Sequence, residues 1–300
     1  MVDFRDRVIP EFPQSREVTL EDKPVFDAVF AAHPPELSAY TFTNIFAWRA
    51  AYGTTVASFD DHLLVLHGYG GRHSCLQPLG DEPVEPIIEN VFDRSSRQLE
   101  FERISSTVAS EVQSQSISVE ADRDNWDYLY SAEDLITLAG RKYDAKRNQI
   151  AHAKAAIPWE YVRLDGRTAL ECEDFAEYWC EDRQCETVEG LRRESCAIYQ
   201  MLSNFESLGI VGGAIRANGA IVAFTLGEAL SPHTLVIHVE KADMRTEGLY
   251  QLINNEFCKA EGAGFRFINR EQDLGVPGLR KAKESYHPIR MIESFRIRRA

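Results

Sequence analysis

Apolar positions in the second half of the chain recur with two different periods. Trp159 to Leu164 reads as a short strand, and Cys172, Phe175, Ala176 and Trp179 then fall at helical spacing. Leu191, Ser195, Ile198, Leu202 and Phe205 mark a second helix that stops at Gly209. The runs GIVGGAIR and AIVAFTLGE flank Asn218-Gly219, a pair suited to the positive φ angles of a tight turn, and predict a hairpin. A third strand, TLVIHVE, leads into a helix carrying Leu249, Ile253 and Phe257, and FRFIN follows as another strand. The stretch EQDLGVPGLRKAKESYHP, residues 271–288, turns through Gly275, Pro277 and Gly278 into a short helix, and IRMIESFRI finishes as a strand. TLVIHVE, its helix and FRFIN form a parallel crossover in an otherwise antiparallel sheet.

The first half repeats this order with more noise. REVTL precedes a helix holding Val25, Phe26, Val29 and Phe30, with Pro24 in its first turn, and a further helix spans Phe46, Trp48 and Tyr52. TTVASF and HLLVLHG make a hairpin around Asp60-Asp61; SCLQPL, a helical VEPIIENVF and the strand LEFERI come next. No letter-by-letter repeat accompanies the repeated order. The expectation is a mixed-sheet α/β chain of two related domains, residues 1–150 and 151–300, joined near 145–158.

Composition narrows the class. Hydrophobic residues at 44% and charged residues at 27% describe a soluble globular protein. No run approaches the roughly 20 apolar residues that cross a bilayer. The start, MVDFRDRVIPEFPQSREV, is too polar and Pro-broken for a signal peptide, so the cytoplasm is the expected location. Cys75, Cys172, Cys180, Cys185, Cys196 and Cys258 are scattered without a C-x-x-C pair or zinc-ligand spacing, which predicts reduced thiols and no metal site. The net charge of −14 opposes general affinity for nucleic acid or anionic membranes, leaving room only for a local basic patch.

The element order is similar to that of the GNAT acyltransferases, which splay two neighbouring parallel strands to hold an acyl donor. YLYSAEDLITLAGRKYDAKRNQI (128–150), HVEKADMRTEGLYQLINNEF (238–257) and INREQDLGVPGLRKAKESYHP (268–288) resemble the signatures of a bacterial soluble family related to the C-terminal domain of phosphatidylglycerol lysyltransferase. The resemblance implies two tandem GNAT-like domains, the second carrying the active cleft. It also implies kinship with Fem-type transferases and with enzymes that move an amino acid from aminoacyl-tRNA to a lipid head group.

Several residues gain candidate roles from this placement. CoA-dependent GNAT enzymes carry a Gly-rich loop at MRTEGLYQ whose N–H groups cradle pyrophosphate. Arg245 and Gly248 fit that loop, but Tyr250 replaces a small residue and Glu247 adds negative charge, so an ordinary helix start is the preferred reading. Glu240 ends a strand at the expected cleft, where it could serve as a base beside Lys241; the plain alternative is a solvated strand end. Asn269 leaves FRFIN at its carboxyl end, where α/β crevices lie. Arg280 and Lys283 share a helix face after the glycine loop, Lys283 suited to a developing oxyanion, with Tyr286 and His287 as further donors. Residues 270–300 carry net charge +4, as do residues 141–154, which contain Lys142, Arg147 and Asn148. If the two segments face each other across the domain junction, they form a positive channel for the phosphate-bearing end of a donor.

Three functions compete. The leading expectation is aminoacyl transfer from aminoacyl-tRNA to an amine or hydroxyl of a small molecule, peptide or cell-wall precursor, with no cofactor required. The second is an acyl-CoA-dependent N-acyltransferase, and the third a non-catalytic ligand-binding protein.

Overall fold

The computed structural model describes residues 9–81, 83–112 and 114–300; residues 1–8 of the polar opening stretch lie outside the described part. The chain divides into two compact units. One comprises residues up to 127 with 272–276 and 292–300; the other comprises 128–271 and 277–291.

The first unit is built on a seven-stranded sheet. Its strands are β1 (Arg16–Glu17), β2 (Thr55–Phe59), β3 (His62–Tyr69), β4 (Arg72–Leu76), β5 (Leu99–Ser105) and β6 (Ile117–Ala121), with the chain's closing strand, Ser294–Arg299, between β5 and β6. Helices α1 (Lys23–Ala32), α2 (Phe42–Ala47), α3 (Arg49–Tyr52), α4 (Glu85–Arg94) and α5 (Ser106–Glu111) accompany it. Pro24 sits in the first turn of α1 as the sequence suggests, whereas the helix expected through Phe46 and Tyr52 breaks at Trp48 into α2 and α3. Ile88 and Val91 of α4 pack with Leu64, Cys75, Phe101 and Ile297 of the sheet. The parallel strands β4 and β5 stay paired to the last residue of β4, Leu76 opposite Glu102.

The second unit also has a seven-stranded sheet. It contains β7 (Asp127–Ser131), α6 (Ala132–Thr137), α7 (Asp144–Ala156), β8 (Trp159–Arg163), α8 (Gly166–Asp182), α9 (Glu189–Ser203) and α10 (Phe205–Leu208). There follow β9 (Val211–Ala217), β10 (Ala220–Ser231), β11 (Thr234–Ala242), α11 (Leu249–Glu261), β12 (Phe267–Asn269), α12 (Pro277–Glu284) and β13 (Arg290–Ile292). The sheet order is β13-β7-β12-β11-β10-β9-β8, with β11 and β12 parallel as the crossover pattern predicts. Asn218 and Gly219 both take positive φ, 51° and 84°, and close the β9–β10 hairpin. Leu252, Ile253 and Phe257 of α11 pack with Ile237, Ile268, Tyr128 and Tyr130 in one buried core.

Strand exchange separates these units from a simple cut at 150. Residues 128–150 belong to the second unit, because β7 is the antiparallel partner of β12. IRMIESFRI is two strands rather than one: β13 stays in the second sheet, and the closing strand joins the first, pairing Ser294 with Ser105. The cysteines also differ from expectation. Cys180 and Cys185 form a disulfide with their Cα atoms 5.1 Å apart. The contact arises because the chain reverses at Gln184, φ 52°, just after α8, a turn that spacing alone did not reveal. Among the described residues no helix is long and apolar enough to cross a membrane.

Candidate functional site

Strands β11 and β12 pair for only three residues, from Thr234–Phe267 to Val236–Asn269. β11 continues to Ala242, held on its other side by β10, while the chain leaves β12 after Asn269. The two parallel strands therefore part company, as β4 and β5 do not. Side chains of the departing residues span the opening. Arg270 Nη2 donates to Glu240 Oε2, and Asn254 Nδ2 of α11 donates to Glu240 Oε1 at 2.8 Å. One residue on, Glu271 accepts from His238 Nδ1 at 2.8 Å.

The Glu240–Arg270 pair is largely buried, each side chain 13% exposed. Burial opposes the charge of Arg270, but the Glu240 carboxylate, with Tyr130 and Tyr286, outweighs it and holds the guanidinium above its ordinary pKa. The guanidinium lies over the Tyr286 ring at 4.6 Å. Its Nε and Nη1 are buried without a hydrogen-bond partner, as is Oδ1 of Asn254. A second cation joins it. Lys146 of α7 is 9% exposed, with Nζ 4.2 Å from the centre of the same ring and 2.7 Å from Ser285 Oγ. Burial, and then the neighbouring Arg270, push the Lys146 ammonium down to about 8.

His238 completes the charged row. Its fully buried ring sits between two carboxylates, Nε2 on Glu228 at 2.9 Å and Nδ1 on Glu271. Burial disfavours the imidazolium, yet hydrogen bonds to Glu228 and Glu271 more than offset it and raise the pKa to about 9. Because the folded value exceeds the unfolded one, this charge stabilises fully below about pH 6.5 and the contribution disappears as pH rises through about 9. Stability measured by denaturant titration is expected to fall by on the order of 3 kcal/mol across that window. His238→Gln should flatten the dependence; an unchanged slope in the variant would assign it to other groups.

The sequence-derived candidates divide sharply. Glu240, Asn269 and Tyr286 belong to this centre. Both Glu240 oxygens are engaged, so in this arrangement it is a counter-ion and not the free base expected. Asn269 is fully buried and accepts from Glu271 N at 2.7 Å, shaping the exit from β12. The Lys283 ammonium donates to the carbonyls of Arg270 and Glu271 and so holds that exit in place. Arg280 is half-buried on α12, a helix with no buried residue.

Lys241, adjacent to Glu240 on a strand, necessarily points to the opposite face. It pairs with Glu194 at 2.8 Å and lies over Trp179 at 3.9 Å, away from the centre. Lys142 pairs with Asp134 at 2.9 Å. Arg147 caps the carbonyls of Leu138 and Gly140 and pairs with Asp144, and Asn148 is exposed on α7. Exposed His287 sets its ring edge against Tyr143 and its Nε2 3.2 Å from the Lys142 carbonyl. The basic segments 141–154 and 277–291 thus meet inside one unit, where Lys146 reaches Ser285, and do not lie on different domains. The loop N–H of Gly275 is occupied by Asp273 at 2.8 Å.

The loop before α11 departs furthest from expectation. Arg245 is tied to Asp243 through Nε and Nη2, the latter at 2.6 Å, so its charge is neutralised where pyrophosphate would need it. Gly248 has φ +84°, and a Cβ there would lie 1.9 Å from the Gln149 carbonyl oxygen of α7. At Gly248 the start of α11 lies against the backbone of α7.

Two tandem mixed sheets, a parallel pair that separates at its carboxyl end and a charged centre in the opening define a GNAT-like acyltransferase fold. The family model for phosphatidylglycerol lysyltransferase, C-terminal, matches residues 30–298, and the chain belongs to that family. A conserved protein of unknown function from Bacteroides thetaiotaomicron is 32% identical, with a TM-score of 0.88 over 95% of this chain and 99% of that one. The C-terminal domain of a candidate lysylphosphatidylglycerol synthetase from Agrobacterium fabrum has 12% identity and a TM-score of 0.67, covering 93% and 92%. L-PGS from Bacillus licheniformis has 12% identity and a TM-score of 0.63, covering 98% and 94%. These last two share the fold. No curated protein matches the chain.

Sequence reading missed Lys146, Arg270, Asn254 and the Glu228–His238–Glu271 row as a group. Lys146 alone left a usable signal: Tyr143, Lys146, Ile150 and Ala153 form the buried stripe of α7 and its lead-in, so a cation occupies an apolar position.

Proposed function

We propose that the second unit transfers an aminoacyl group from an aminoacyl-tRNA to an amine or hydroxyl acceptor. The acceptor attacks the ester carbonyl, the bond to the ribose oxygen breaks, and the proton lost by the acceptor ends on the released hydroxyl. No covalent enzyme intermediate is needed. This suits the cysteines Cys75, Cys172 and Cys258, whose burial pushes their thiols up and leaves them poor nucleophiles.

The observation that carries an ester donor over a CoA thioester is the covered start of α11. Anion cradling needs free N–H groups and an uncompensated positive end. Here Gln149 crowds the backbone at Gly248, and Asp243 engages Arg245. In this reading Glu240 holds Arg270 in place and Lys283 fixes the carbonyls beside it, so both act as positioning residues.

The test is label transfer. Purified protein is incubated with a mixture of radiolabelled aminoacyl-tRNAs or with acetyl-CoA, alongside amine, hydroxyl and peptide acceptors. A labelled product from tRNA alone is the expected result. Transfer from acetyl-CoA would sink the ester reading, and saturable binding of charged tRNA without turnover would make the protein a binder.

A further inference from the structure

We propose that Lys146 and Arg270 form a binding pocket for one anionic oxygen group, a carboxylate or a phosphate, of the substrate. The inference deepens the reading above and rests on it for its place in the reaction, but the pocket follows from charge and geometry.

Two cations lie against the Tyr286 ring, Arg270 at 4.6 Å and Lys146 at 4.2 Å from its centre, with Glu240 as the carboxylate on Arg270. Among the described residues no carboxylate pairs with Lys146. Its hydrogen-bond partner is the neutral Ser285 hydroxyl, which itself donates to the Ala282 carbonyl at 2.6 Å. An ammonium has three donors, so Lys146 keeps capacity for another acceptor. Arg270 spends Nη2 on Glu240 and leaves Nε and Nη1 buried and unpartnered. Nε and Nη1 point from different edges of the guanidinium, so each can donate to an acceptor oxygen of its own.

Buried charge without a counter-charge is costly unless it is neutralised or paired. Lys146 shows this cost in its depressed pKa of about 8, caused by burial and by Arg270. An anion within reach of both cations would satisfy open donors and offset the repulsion that Arg270 exerts on Lys146. The ring of Tyr286, whose phenol burial keeps neutral, adds no competing charge beside the two cations. Lys283 of α12 is not one of these cations, because its ammonium is directed at the carbonyls of Arg270 and Glu271.

The experiment follows the side-chain signal of Lys146 in the full chain, by NMR of protein labelled at the lysine ε-carbon, assigned with Lys146→Met. Inorganic phosphate and acetate are titrated separately against sodium chloride at equal ionic strength. A saturable shift with phosphate, or with acetate, and a raised titration midpoint for Lys146 are expected; the responding anion names the chemistry. Arg270→Lys, which keeps the charge and loses the two open guanidinium donors, should weaken that anion at least about tenfold. Shifts matched by chloride, or no shift with either probe, would overturn the pocket, and the wild-type titration decides even if a variant fails to fold. Anion binding without label transfer keeps the pocket and drops the reaction. Full transfer by Lys146→Met does the reverse.

Discussion

Arg270→Met is expected to destabilise the second unit by about 3–5 kcal/mol, the cost of leaving a buried carboxylate without its partner. Glu240 is 13% exposed, and after the substitution it keeps the hydrogen bond from Asn254 but has lost its counter-charge. Methionine covers the Tyr286 ring but cannot answer the charge. The double replacement Glu240→Leu with Arg270→Met should recover a large part of the loss, since removing both charges removes the desolvation cost as well. Chemical denaturation of the four proteins closes the cycle. A single variant no worse than the double would mean that Glu240 does not depend on Arg270. The same variant has a second, independent readout at Lys146, because Arg270 is one of the two causes of its depressed pKa. Without that neighbour the lysine should titrate above about 8, while burial still keeps it below an exposed lysine.

The elements that carry this centre were legible because they are local. Alternation and helical spacing located β9 to β12 and α11, and Asn218-Gly219 fixed a turn whose φ angles the structure reproduces. The resemblance of three segments supplied the family. Exchange of β7 and the closing strand was not legible, since strand partners such as Ile268 and Tyr130 lie far apart in sequence and nothing in either run names the other. The site failed for a different reason. Taken as a block, RKYDAKRNQIAHAK reads as a basic surface, yet Lys146 turns inward with Tyr143, Ile150 and Ala153. Glu240 and Lys241 were paired by adjacency, against the alternation that sends them to opposite faces. Reading each charge against the periodicity of its own element would have separated inward cations from wet ones.

Gly248→Ala is the single-methyl change expected to do most damage, about 2–5 kcal/mol, from left-handed backbone strain and overpacking together. Its φ of +84° disfavours any side chain, and the added carbon would meet the Gln149 carbonyl oxygen at 1.9 Å and its carbon at 2.5 Å. Both are backbone atoms of α7, so no rotamer can yield; helix α7 has to withdraw from α11. Gly219→Ala provides the matched control. It has the same φ of +84° but nothing within 4 Å of the new carbon, so it should cost only the strain, about 1–2 kcal/mol. Comparing their melting curves isolates the helix contact from the backbone angle. Equal losses would mean that α7 does not press on the start of α11, and the case against a pyrophosphate cradle there would lose its footing. A larger loss at Gly248 should also disturb the Lys146 titration, because Lys146 lies one turn before Gln149 on the same helix and travels with it.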